Sequence, residues 1–165
     1  MSKLNPGPEL TPHEPDRLDE LIEGEPVGEI DPAIKGGRSG ARAVVVQALY
    51  ESDASGHPAR ASVKRIALER ELNDGDTEFA LDLVEECESS RNDLDKRIAK
   101  AASQYPTDQM SLVDRSILRV ALAELNIQDS APERVIANEA VELAKLFGSD
   151  SSPKFINGVL GALLG

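Results

Sequence analysis

From Ser39 onward the apolar positions recur with helical spacing. Ala41, Val44, Val45, Ala48 and Leu49 share one arc at about 100° per residue, with Gln47 and Glu51 opposite. "ASGHP" (54–58) breaks this helix, and Pro58 suits the first turn of a second, over about Ala59 to Glu71, where its missing N–H is no loss. "NDGD" (73–76) ends that one. A long third helix is predicted from Asp76 to Ser103, its stripe being Phe79, Leu83, Cys87, Leu94, Ile98 and Ala102 at spacings of four and seven. After a "YPTD" connector (105–108), residues 110–128 are apolar on more than half their circumference, which predicts the central helix of a second bundle. Two helices complete the pattern: Pro132–Phe147, closed by Gly148, and Ser152–Leu164, opened by Ser151 or Ser152 as cap with Pro153 in the first turn. No fixed-period repeat is present, which argues against a solenoid.

Composition agrees with an all-α fold. Hydrophobic residues make up 40% of the 165-residue chain but aromatics only 3%, so the core must be aliphatic. Ala, Leu, Glu, Lys and Arg, which lose little by ordering in a helix, dominate from residue 59. Residues 1–35 differ: six of the ten prolines fall there, with nine acids against three bases, a net of −6. Such a segment cannot bury enough apolar surface to offset its ordering entropy, so it reads as a disordered acidic tail, with folding expected from about Gly36. The folded part is expected as two packed helical subdomains, about 36–104 and 105–165.

Charge and chemistry narrow the function. A formal net charge of −12 argues against a non-specific nucleic-acid binder. Cys87 is the only cysteine and sits on an apolar stripe, which points to a small buried hydrophobe in a reducing compartment. Without a signal-peptide pattern or a run of about 20 apolar residues, a cytoplasmic protein is expected, away from membranes. "GSDSSPK" (148–154) lacks the G-K-[ST] ending of a phosphate loop and follows a helix. Glu139 and Glu142 lie at i, i+3 without His or Cys, so they read as solvated or ion-paired faces, and no metal, cofactor or acid–base site is predicted.

One stretch stands against the acidic background. Between Asp31 and Glu51 there are three bases, Lys35, Arg38 and Arg42, and no acid. On the first helix Arg42, Val46 and Tyr50 line one flank, with Arg42 and Tyr50 about 12 Å apart at 1.5 Å per residue. A cation for phosphate and a ring for stacking on an exposed edge would suit single-stranded RNA.

"SLVDRSILRVALAEL" (111–125) and "PERVIANEAVELAKLFGSDSSPKFINGVLGALL" (132–164) resemble the signature segments of the bacterial transcription antitermination factor NusB family. "VQALYESD" (46–53), preceded by spaced arginines, matches that family's N-terminal helix, so the resemblance runs from about Arg38 to Leu164. It implies two packed subdomains of three to four helices each and no catalysis. It also implies binding of boxA single-stranded RNA from ribosomal RNA operons as a heterodimer with ribosomal protein NusE, joined to RNA polymerase and other Nus factors. The family's R-R-R-x-R start appears here as Arg38-Ser39-Gly40-Ala41-Arg42, with the two middle arginines absent.

By the same resemblance Tyr50, Arg119, Lys154 and Phe155 fall on RNA-side positions and Asp114 on an acidic position near the partner surface. Ser151 stands where an acid is usual, with Asp150 beside it. Fewer arginines imply weaker RNA binding without the partner, and the acidic tail, tethered just before Arg38, reads either as a competitor with phosphate or as an inert solubilising segment. Some family members dimerise over the arginine surface, and a homodimer is a further outcome the resemblance allows. The alternative reading is a same-fold protein–protein adaptor with little RNA affinity. A NusB-like domain also precedes the catalytic domain of some ribosomal RNA cytosine methyltransferases, but no cofactor-binding domain is present in this sequence.

Overall fold

A computed structural model of the chain describes residues 36–103 and 110–164. The acidic tail and the "YPTD" connector lie outside the described residues. Those described form seven helices and no strand: α1 Gly37–Ser55, α2 Ala59–Glu69, α3 Asp74–Ser89, α4 Arg91–Ala101, α5 Leu112–Leu125, α6 Glu133–Phe147 and α7 Ser152–Leu164. The all-α expectation holds.

The single long third helix does not. It divides at Ser90, whose φ of −103° and ψ of 12° turn the chain while its N–H still bonds the Glu86 carbonyl. The stretch Ser89-Ser90-Arg91-Asn92-Asp93 is rich in residues whose side chains compete for backbone hydrogen bonds: the Ser89 hydroxyl donates to the Glu86 carbonyl at 3.5 Å, and the Ser90 hydroxyl donates to the Glu86 carboxylate at 2.7 Å. Helix resumes at once, with Leu94 N–H on the Ser90 carbonyl. Cys87 and Leu94 therefore still reach the core, but α3 packs on α1, α2 and α5 while α4 packs on α5 and α7.

Other ends follow local chemistry. α1 stops at Gly56, whose φ of 85° is the left-handed conformation that glycine adopts without strain, with its N–H on the Ser52 carbonyl. Asn73 caps α3 by accepting from the Asp76 N–H at 2.7 Å, and Ser111 caps α5 by accepting from the Asp114 N–H at 3.1 Å. Gly148 does follow α6, but with φ −92° and ψ −171° it is extended, not left-handed. Its need is space, because a Cβ there would lie 2.5 Å from Ser152 and 2.8 Å from the Ala144 carbonyl.

One continuous aliphatic cluster, including Val44, Leu49, Leu83, Leu94, Ile117, Leu122 and Ile156, runs through the described residues. α5 is the central helix expected of residues 110–128, and its reach is wider than one bundle: it packs against α1, α3, α4, α6 and α7. α1 is nearly as enclosed, every residue from Gly40 to Tyr50 being buried between α2, α3 and α5. No described helix is long and apolar enough to cross a membrane.

Candidate nucleic-acid and partner interface

The enclosure of α1 corrects the expected exposed flank. Tyr50 is 1% exposed and Arg42 5%, because α2, α3 and α5 cover different sides of the helix and leave no open edge between residues 40 and 50. Arg42 is fixed by a two-pronged contact with Glu124 of α5, Nε to Oε1 and Nη2 to Oε2, both at 2.7 Å, and its Nη1 donates to Glu139 of α6 at 3.2 Å. Ser39 and Ser130 complete the network by donating to Glu139 and Glu124. Burial alone would lower the Arg42 pKa, but the Glu124 and Glu139 carboxylates outweigh it and hold the guanidinium charged.

Arg119 is likewise internal, 2% exposed. Its Nε and Nη2 grip Asp95 of α4 and its Nη1 donates to Asp53 of α1, each at 2.8 Å. Here too burial lowers the pKa, and Asp95 and then Asp53 raise it further than burial depresses it. Arg91 joins the same cluster through Asp53 at 2.6 Å. In this position Arg119 ties three helices together; it does not present a cation to solvent.

Three expected site residues do come together, two of them reaching the surface. Lys154 is exposed, Phe155 is half-buried, and both line a groove of about 640 Å³ with Asp114, Met110, Ser111 and Ser151. Asp114 lies at its floor, 9% exposed, hydrogen-bonded to Ser152 and Ser111, with its Oδ1 unpartnered among the described residues. Burial pushes its pKa up, and the two serines only partly oppose this.

Arg38 is the other surface cation of the set, its side chain 54% exposed. Its Nη1 donates to the Gly75 carbonyl at 3.1 Å and to Asp76 Oδ1 at 2.9 Å, and its guanidinium lies over the Phe79 ring. Around the N-terminal arginines the charge is thus not basic: Arg38 and Arg42 face Asp76, Glu124 and Glu139. Sequence reading missed Asp76, Glu124, Asp53 and Asp95 as arginine partners, and Phe79 as more than a core residue. Glu124 did carry a signal, being with Arg119 one of two charged residues in the otherwise apolar "ILRVALAEL". The reading of Glu139 and Glu142 as ion-pair partners holds, Glu142 pairing with Lys145 at 3.0 Å. Cys87 is 1% exposed, and burial drives its pKa far up, so its thiol stays protonated.

Comparison with known proteins agrees with this architecture. The model of the NusB family matches residues 39–164. The chain is 42% identical over 126 residues to the transcription antitermination protein NusB of Dehalococcoides mccartyi, covering 76% of this chain and 88% of that protein. Its counterpart in Roseiflexus castenholzii is 42% identical over 125 residues, covering 74% and 88%. Among solved structures, T. maritima NusB superposes with a TM-score of 0.72 at 27% identity over 78% of this chain and 91% of that one. A complex of antitermination factors NusB and NusE with dsRNA gives 0.69 at 30% identity over 76% and 94%. With the matched region reaching from the first turn of α1 to the end of α7, the chain belongs to the NusB family.

Proposed function

We propose that this protein is a non-enzymatic antitermination factor that binds boxA-type single-stranded RNA of ribosomal RNA operons together with NusE, and through that complex joins RNA polymerase and other Nus factors. The observation that carries the reading is the groove in which the "KF" of the C-terminal signature places exposed Lys154 and half-buried Phe155 beside Asp114. A cation, a ring face and an acid at one opening suit a surface shared by an RNA strand and a protein partner. The related complex of NusB and NusE with dsRNA supports RNA and NusE as the partner classes.

RNA binding by the protein alone should be weak. Arg42 and Arg119 are engaged internally, and each phosphate contact not made removes about 0.7 from the salt slope on a single strand. A fluorescence anisotropy titration with labelled boxA-type RNA, single-stranded and as a duplex, with and without NusE, tests this. Tight binding of the single strand only with NusE is expected. Tight binding without NusE at physiological salt would contradict the partner dependence, and no ternary complex under any condition would sink the reading.

The internal neutralisation of Arg38 and Arg42 also favours a second reading, a same-fold adaptor that contacts its protein partner and leaves RNA to other factors. Arg42 and Tyr50 are unsuitable probes because both are core residues. The surface substitutions Arg38→Gln and Lys154→Gln discriminate. RNA assembly with NusE suffers under the first reading and survives intact under the second.

A further inference from the structure

The N-terminal arginines share an aromatic ring. The guanidinium carbon of Arg38 lies 4.5 Å from the Phe79 ring centroid and that of Arg42 lies 5.7 Å away. Phe79 is half-buried and packs against the aliphatic core, so the ring is supported from within while part of it remains accessible. Arg42 is held by Glu124 and Glu139 in the interior, whereas Arg38 is half-exposed and tethered through Nη1 alone to Asp76 and the Gly75 carbonyl. The sequence suggested Arg42 with Tyr50 as the cation and ring of an RNA site. Both are buried, and the cation–ring pair that the N-terminal arginines keep at the surface is Arg38 with Phe79.

We infer that Phe79 is a stacking platform for an unpaired RNA base, with Arg38 as its lid. In the free protein the guanidinium covers the ring. When RNA binds, Arg38 turns from Asp76 to the adjoining phosphate and a base takes its place over Phe79. The exchange is feasible because the Arg38 end of the ion pair is 54% exposed and a guanidinium over a half-buried ring is held only modestly. Asp76, only 12% exposed, lies in the first turn of α3, where the helix N-terminus still favours its charge. The incoming base replaces the ring contact and the phosphate replaces the carboxylate, and stacking on an aromatic face tolerates any base. The rigid neighbour Arg42 stays in place, so only the outer cation has to move.

The inference rests on the RNA-binding reading, and its test separates the two. The chain contains no tryptophan, so Phe79→Trp in the full chain creates a single reporter. Titration of this variant with single-stranded boxA-type RNA in the presence of NusE is expected to quench its emission to saturation. Phe79→Leu, which keeps apolar contact with the core, should weaken RNA binding roughly 5- to 100-fold without changing NusE binding. Arg38→Gln in the Trp variant should lower the salt slope by about 0.7 and leave the quenching in place. RNA that binds without altering Trp emission, together with parental affinity in Phe79→Leu, would overturn the platform and spare the RNA-binding reading. Failure of the parent protein and NusE to bind RNA at all would overturn both.

Discussion

Arg38 and Arg42 stand one helical turn apart and meet opposite fates. Arg38 projects from the first turn of α1, past the edge of the core, and is 54% exposed. Arg42 faces Glu124 and Glu139 and has a side chain only 6% exposed. Losing one partner of a buried pair leaves the other charge uncompensated, at a cost of about 3–5 kcal/mol. Glu124→Ala should therefore destabilise the fold by that amount in urea unfolding. Glu139→Ala should cost clearly less, because Glu139 is 26% exposed and its contact with Arg42 is longer. Equal losses for the two variants would contradict the central place given to Glu124.

Asp114 makes a pH-dependent prediction at the same scale. Burial raises its pKa above the ordinary 3.8, more than Ser152 and Ser111 lower it. Between the unfolded and folded values the folded state binds more protons, so stability is intact below the ordinary value and is lost as pH rises through the folded one. Asp114→Asn removes that loss. The variant should melt higher than the parent at neutral pH, with the advantage gone below about pH 4. An advantage independent of pH would show that the carboxylate's ionisation is not its source.

At the scale of elements, helix phases were legible and helix ends less so. The spacing that put Cys87 and Leu94 on one stripe was right although the helix breaks between them, because α4 restarts with both residues still inward. The serine- and Asn/Asp-rich stretch permits the break at Ser90, but that α4 then packs on α5 and α7 is encoded in no local pattern. Gly148 shows the same limit: the sequence signalled a helix end, and only packing revealed that the position lacks room for a Cβ. Gly148→Ala should destabilise by about 1–3 kcal/mol through overpacking. Gly161→Ala, in the exposed face of α7 with nothing within 4 Å of a new Cβ, should instead stabilise by about 0.5–1 kcal/mol. Thermal melts of the two variants with opposite signs are the expected outcome.

At the scale of the whole molecule, half of the net charge of −12 lies in residues 1–35, immediately before Arg38. If an acidic segment tethered there competes with phosphate for the Arg38 surface, the effect must be screened by salt over about 10 Å at 0.1 M. Deleting residues 1–35 is expected to strengthen RNA binding in the NusE complex at low salt and to matter less as salt rises. Equal affinities at low salt would assign the segment no such role.

By itself the sequence determined the helical class, the phase of each apolar face, the aliphatic core and, through its C-terminal signature, the family. Those properties are local or recur in fixed spacing. It did not determine which charged residues face water. A helical wheel describes one preferred side, whereas α1 is covered by three neighbours at once, so Arg42 and Tyr50 on its polar-looking flank became interior. Their partners and those of Arg119 come from distant segments, Glu124 lying 82 residues from Arg42 and Asp53 lying 66 from Arg119. Only the tertiary structure brings such carboxylates and guanidiniums together. Among the basic and aromatic residues considered for the interface, it leaves Arg38 and Lys154 exposed and Phe79 and Phe155 partly so.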